Sequence, residues 1–178
     1  MTVDAEFFLV SPVDNLRMGI ARPERSLDAA VQEKLELGGW IDGWRESTYL
    51  LERRGFSDFQ PASSGVRLCS ARLRSALDAA KGASDVLQWL AAKVIRDGGE
   101  ARPYWVLHFP EHPDVLDARR TVVHEGRVVK PVIDVAAARR YGVFGPPVAT
   151  LVEFVVARAV RDAIRRAGCR GIRFTPVA

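Results

Sequence analysis

The chain has 178 residues, 48% hydrophobic and 27% charged, which fits one domain over residues 1–178 and excludes a disordered chain. Its formal net charge is +4, with a pI near 9.4, yet lysine occurs only at positions 34, 81, 93 and 130. The remaining basic charge is arginine spread through every segment, which argues against nucleic acid as partner and suggests the coding bias of a GC-rich bacterial genome.

Phe7-Phe8-Leu9-Val10 is a short apolar run ended by Ser11-Pro12 and predicts an opening buried strand. Pro23 and Ser26 introduce a helix through Leu37, with Leu27, Ala30, Val31 and Leu35 on one face and Gly38-Gly39 as its stop. Tyr49-Leu50-Leu51 reads as a strand, with Arg53-Arg54-Gly55 as the turn after it, and Phe59 to Gly65 reads as a loop.

A strand–helix–turn–strand unit is then used twice. Val66-Arg67-Leu68 leads into a helix over 70–80, stops at Gly82 and returns through Asp85 to Leu90. Phe154-Val155-Val156 leads into a helix over 157–167, stops at Gly168 and returns through Gly171 to Phe174. Leu73, Leu77, Val160 and Ile164 fall on the apolar faces, while Arg74 and Arg161 hold matching positions expected to point outward. Between the units, Tyr104 to Phe109 reads as a buried strand, and Thr121–Val129 as a hairpin turning at His124-Glu125-Gly126-Arg127. Val135 to Arg140 reads as helical, and the loop from Gly142 to Pro147 precedes the second unit. The sum is an α+β fold, with mixed α/β as the variant: short helices on one or two mainly antiparallel sheets.

The search for chemistry yields no defensible enzyme. His108, Glu111, His112, Asp114 and Asp117 form the densest polar cluster, but Pro110 and Pro113 forbid the helix that would put both imidazoles on one metal. No Gly-x-Ser-x-Gly elbow or phosphate loop occurs. Cys69 and Cys169 lack Cys-x-x-Cys spacing and read as reduced thiols. Neither a metal nor a cofactor is expected. The N-terminus starts acidic without a basic region or cleavage site, so no secretory signal is read there. No run approaches the ~20 apolar residues of a membrane span, so the expectation is a cytoplasmic protein without a membrane partner.

Ser57-Asp58-Phe59, the run Val66 to Leu77 with its serine-x-arginine-leucine step at Ser70-Ala71-Arg72-Leu73, the aromatic strand Tyr104-Trp105-Val106-Leu107 with Asp117 after it, and the closing Ala163–Gly168 and Gly171–Phe174 share a plan. Over residues 49–177 that plan resembles family eleven of the immunity proteins of bacterial polymorphic toxin systems. The sequence departs from it at Val155-Val156-Ala157, where a serine before the helix is more typical. The resemblance implies a non-enzymatic protein that binds and neutralises a cognate toxin.

Partner-binding candidates are Trp40 and Trp44, then Glu111, Asp114 and Asp117, then the arginine stripe Arg158, Arg161 and Arg165. The stripe also reads as a solvated helix face, and Trp40-Ile41-Asp42-Gly43-Trp44-Arg45 as a turn anchored by core tryptophans or a stacking site for bases. A nucleic-acid-binding or regulatory module is the alternative function, and an enzyme using the His108–Asp117 cluster a third. Toxin identity and oligomeric state stay open.

Overall fold

Both repeated units form in the computed structural model, which describes residues 6–13, 19–52, 55–124, 127–130, 132–145 and 152–177. Expectations for the Arg53-Arg54 turn, the Glu125-Gly126 hairpin tip, Pro146-Pro147 and the first five residues lie outside these. The first unit is β5 (Leu68–Ser70), α2 (Ala71–Ala80) and β6 (Gln88–Arg96); the second is β11 (Phe154–Ala157), α4 (Arg158–Arg166) and β12 (Ile172–Val177).

In neither unit do the two strands touch. β5 and β6 each pair antiparallel with β7 (Ala101–His108), which lies between them. β11 and β12 each pair antiparallel with β1 (Phe7–Pro12), which fills the same place in the other sheet. Each unit is therefore a split β-α-β whose central strand comes from elsewhere in the chain, following the unit in one case and opening the described chain in the other.

The six-stranded sheet runs β2 (Ala21–Pro23), β3 (Ser47–Leu51), β6, β7, β5, β4 (Phe59–Gln60), with β3 and β6 its parallel pair. The four-stranded sheet runs β10 (Val143–Phe144), β11, β1, β12, and β8 (Val122–His124) pairs with β9 (Arg127–Lys130) apart from both. Helices α1 (Ala29–Leu37) and α3 (Val135–Ala138) complete the α+β fold. No helix among the described residues is long and apolar enough to cross a membrane.

Strand alternation distributes the apolar residues over three cores. Phe8 and Val10 of β1 join Phe154, Val156, Cys69 and Leu107 around Leu73 and Leu77 of α2 and Val160 and Ile164 of α4, so both sheets and both repeated helices share one interior. Phe7 and Leu9, on the other face of β1, meet Phe144, Val155 and Ala138. Tyr49, Leu90, Val94, Tyr104 and Val106 cover the opposite face of the larger sheet, against Leu35 and Val31 of α1.

Four expectations are corrected. Helix α1 begins at Ala29 with Asp28 as its cap, not at Ser26, and Ala30 is exposed. Strand β1 continues through Pro12, where only β12 still pairs with it. Strand β7 begins before Pro103, at a place where β5 has not yet joined. A proline is tolerated in both because each lies where one strand edge is unpaired. Arg74 and Arg161 do not point freely outward. Arg74 lies over the Trp105 ring at 4.7 Å, and Arg161 lies over Phe8 at 4.1 Å while bridging Asp162 at 2.7 Å.

Candidate partner-binding surfaces

The serine-x-arginine-leucine step opens α2, and its serine does two things at once. Ser70 Oγ accepts from the Leu73 amide at 3.3 Å as the helix cap, and donates to Asp58 Oδ1 at 2.5 Å. The other Asp58 oxygen accepts from the Arg170 amide at 2.7 Å, and Arg72 lies 3.7 Å from it. Asp58 and Arg170 also exchange a main-chain bond, Asp58 N–H to Arg170 C=O at 2.9 Å. The carboxylate thus ties the helix start of the first unit to the turn of the second. Asp58, Ser70 and Arg72 border an open groove of about 500 Å³ whose other walls include Phe56, Arg102 and Arg170. Tyr104, also on this groove, donates to Ser57 C=O at 2.6 Å, and burial pushes its phenol well above the usual range.

A second surface lies where the loop after α1 meets the end of β7. Gly39 is pinned on both sides: its amide donates to Pro110 C=O at 2.7 Å, and its carbonyl lies 2.8 Å from His108 Nε2. Gly38 suits glycine on two counts, its φ of 95° and a tight fit in which a Cβ would come 3.0 Å from Pro110 O and 3.1 Å from the His112 ring. This clamp brings the Trp40 loop beside the Pro110–Asp114 segment, with Trp40 53% and Leu37 69% exposed and Glu111 and Asp114 also exposed. Ile41 is the buried anchor of the loop, and Gln88 holds both its amide (3.1 Å) and its carbonyl (2.8 Å). Of the two tryptophans expected to anchor this turn, Trp40 does not, while Trp44 packs half-buried against the second core.

His108 is wholly buried, and the chain from Phe109 to Val115 is not helical. Nδ1 of His108 is buried without a hydrogen-bond partner, and both ring nitrogens of His112 are buried beside Gly145. Burial lowers both imidazoles below the usual histidine range, and the neighbouring Arg67 guanidinium lowers them further. Arg67 is itself buried, donating from Nε to Glu153 C=O at 3.1 Å, and desolvation brings it down to about 10. Cationic neighbours suit neither a metal nor a proton here. Among the described residues no three His, Cys, Asp or Glu side chains gather in a way that could hold a metal ion.

Trp44 lies apart from the Trp40 surface. Its indole N–H donates to Ala91 C=O at 2.8 Å, and its ring helps line a groove of about 510 Å³ beside the N-terminal half of α1. Asp117 is committed locally, its Oδ1 accepting the amides of Arg119 (2.9 Å) and Arg120 (3.2 Å). The arginine stripe is divided as well. Arg161 is covered, its side chain 17% exposed, and Arg158 is half-buried. Arg165 stays exposed above Phe174. Of the candidates, the fold brings Trp40, Glu111 and Asp114 toward one end and places Trp44, Asp117 and the stripe elsewhere.

Long-range ties escaped the sequence reading. The Asp85 carboxylate accepts amides from Gly82 (2.7 Å), Gly142 (2.9 Å) and Val143 (2.8 Å), joining the exit of α2 to β10. Burial nonetheless keeps its carboxyl above the usual range. An aspartate beside a turn carries no local mark of a partner 57 residues away. Both cysteines are free, Cys69 buried with its thiol far above the usual range and Cys169 raised by burial to about 11.

A model described as Immunity protein family (Imm11) matches residues 21–178. No curated protein matches the chain.

Proposed function

Because the chain belongs to the Imm11 immunity protein family, we propose that it binds a cognate bacterial toxin in the cytoplasm and neutralises it without catalysis, by covering the toxin's active site. The observation that carries this reading is the family match over nearly the whole chain. The surfaces support it. Trp40 is a large aromatic left exposed on a loop whose backbone is fixed by Pro110, His108 and Gln88, and fixed aromatic anchors contribute strongly to binding because little entropy is lost on docking. Specific interfaces bury about 1,200–2,000 Å² in total, more than one such loop supplies, so the surface must extend onto neighbouring elements.

Co-expression with the product of the neighbouring gene tests the reading. Restored growth and co-purification of the two proteins are expected; the absence of both rescue and binding would overturn the reading. A nucleic-acid-binding module is favoured by one arrangement, the groove in which Arg72, Arg102 and Arg170 flank Phe56 and Tyr104. Gel shifts with mixed DNA and RNA at about 50 mM salt separate the two readings, since phosphate-driven binding is strongest at low salt.

A further inference from the structure

We infer that the groove beside the N-terminal half of α1, floored by Leu27, Val31 and Trp44 and walled by Glu24, Asp42 and Glu46, receives a lysine- or arginine-bearing segment of the toxin. The inference rests on the toxin-binding reading and adds to it a location and a chemistry. Its first ground is charge. Residues 24–46 carry six carboxylates against three cations, in a chain whose formal net charge is +4. Four of those carboxylates, Glu24, Asp28, Asp42 and Glu46, line this one groove against Arg25 and Arg45. An acidic concavity on a basic protein suits a cationic occupant and steers it during encounter.

Its second ground is that the carboxylates are unequally committed. Asp28 accepts the Ala30 amide as the cap of α1, and Glu46 lies 3.8 Å from Lys93. Glu24 and Asp42 have no side-chain partner among the described residues, and both are exposed. The fold has therefore left two negative charges at the groove without an internal use.

Its third ground is the floor. Leu27, Val31 and Trp44 pack against the second core but are only partly buried. The Trp44 indole is fixed by Ala91, and the Glu24 amide donates to Thr48 C=O at 2.9 Å, holding the two walls together. An apolar floor under carboxylate walls matches a lysine or arginine side chain, whose methylene stem lies on apolar surface while its head reaches the charges. The Trp44 ring adds an aromatic face suited to a guanidinium.

The test is titration of the purified product of the neighbouring gene against the wild type, Glu24→Lys/Asp42→Lys and, as a charge-matched control outside both surfaces, Glu33→Lys/Glu52→Lys. All four substituted residues are exposed, and an unchanged melting temperature verifies that each variant folds. We expect the first variant to weaken binding at least tenfold at low salt, with a shallower salt dependence, and the control to weaken it much less. Trp44→Phe should weaken binding while leaving the salt dependence as in the wild type. Equal affinity for Glu24→Lys/Asp42→Lys, or a larger loss in the control, overturns the groove while the immunity reading stands. A wild type that does not bind toxin overturns the immunity reading and the groove with it. A dimer of this chain alone that Glu24→Lys/Asp42→Lys dissociates assigns the groove to a second copy, and overturns the inference.

Discussion

Asp58 and Arg170, 112 residues apart, hold each other through both main chain and side chain, the Asp58 carboxylate accepting the Arg170 amide at 2.7 Å. The same carboxylate takes the Ser70 hydroxyl, so one side chain joins the start of one repeated helix to the turn after the other. The family-like serine-x-arginine-leucine step thus has a structural explanation independent of any partner.

Removing this tie should destabilise the whole chain. Asp58→Ala leaves the Arg170 amide and the Ser70 hydroxyl without their shared acceptor, and hydrogen bonds to charged groups contribute about 1.5–3 kcal/mol each. Because the two bonds share one carboxylate, Asp58→Ala is expected to cost about 2–4 kcal/mol, less than their sum. In a double-mutant cycle with Ser70→Ala the losses should be non-additive by about 0.5–3 kcal/mol. Urea denaturation of the four proteins measures both quantities; strict additivity would mean that the short Ser70–Asp58 contact contributes nothing.

The α4 helix predicts a contrast within one turn. Ile164 is fully buried in the core shared by both sheets, and Ile164→Ala should cost about 2–5 kcal/mol through lost burial and the cavity left behind. Arg161 is more than a surface charge, since Phe8 lies under its guanidinium and Asp162 beside it. Arg161→Ala is therefore expected to cost about 1–2 kcal/mol, near the upper part of the cation–π range, while Arg166→Ala on the exposed side costs close to nothing. Thermal and urea unfolding of the three variants ranks them.

That contrast also marks how much of the fold was legible. Leu73, Leu77, Val160 and Ile164 were readable because helical spacing alone decides which face of a helix is apolar. Helical spacing could not show that Phe8, Trp89 and Trp105, from three different strands, would rise alongside Arg161 and Arg74. The two units were visible in the local pattern; their splitting by β1 and β7 was not, because strand order is set by contacts across the chain. Among the site candidates, Trp40 and Trp44 looked equivalent in sequence. Only the Gln88 clamp on Ile41 and the Ala91 carbonyl under Trp44 place them on different surfaces.

Stability should fall as the solution is acidified from neutrality. His108 and His112 are held below the ordinary histidine value of about 6.5, first by burial and then by Arg67. For a group depressed in this way the unfolded chain binds more protons than the folded one, so their neutral forms support the fold fully above about pH 6.5. That support is lost as pH falls below 6.5 toward the folded values. Urea midpoints at pH 7.5 and 5.5 should therefore differ, with the lower at pH 5.5. His112→Phe, which cannot take up a proton, should flatten the dependence; equal midpoints in the wild type would contradict the burial argument.

The two repeated helices differ at their caps, and the difference can be reversed. Ser70 caps α2 at φ −69° and ψ 167°, and Ala157 occupies the same place before α4 at φ −69° and ψ 159°, with no side-chain bond. The Glu6 carbonyl accepts the first amide of α4, from Arg158, but nothing in Ala157 can reach the amide of Val160, which corresponds to Leu73 in α2. Ala157→Ser places a hydroxyl where the backbone is already set for it. A gain of about 0.5–1 kcal/mol is expected, a rise of roughly 1–4 °C in melting temperature for a chain of this size. Ala157 also packs partly against the third core, so a fall in melting temperature would mean that this apolar contact outweighs the cap.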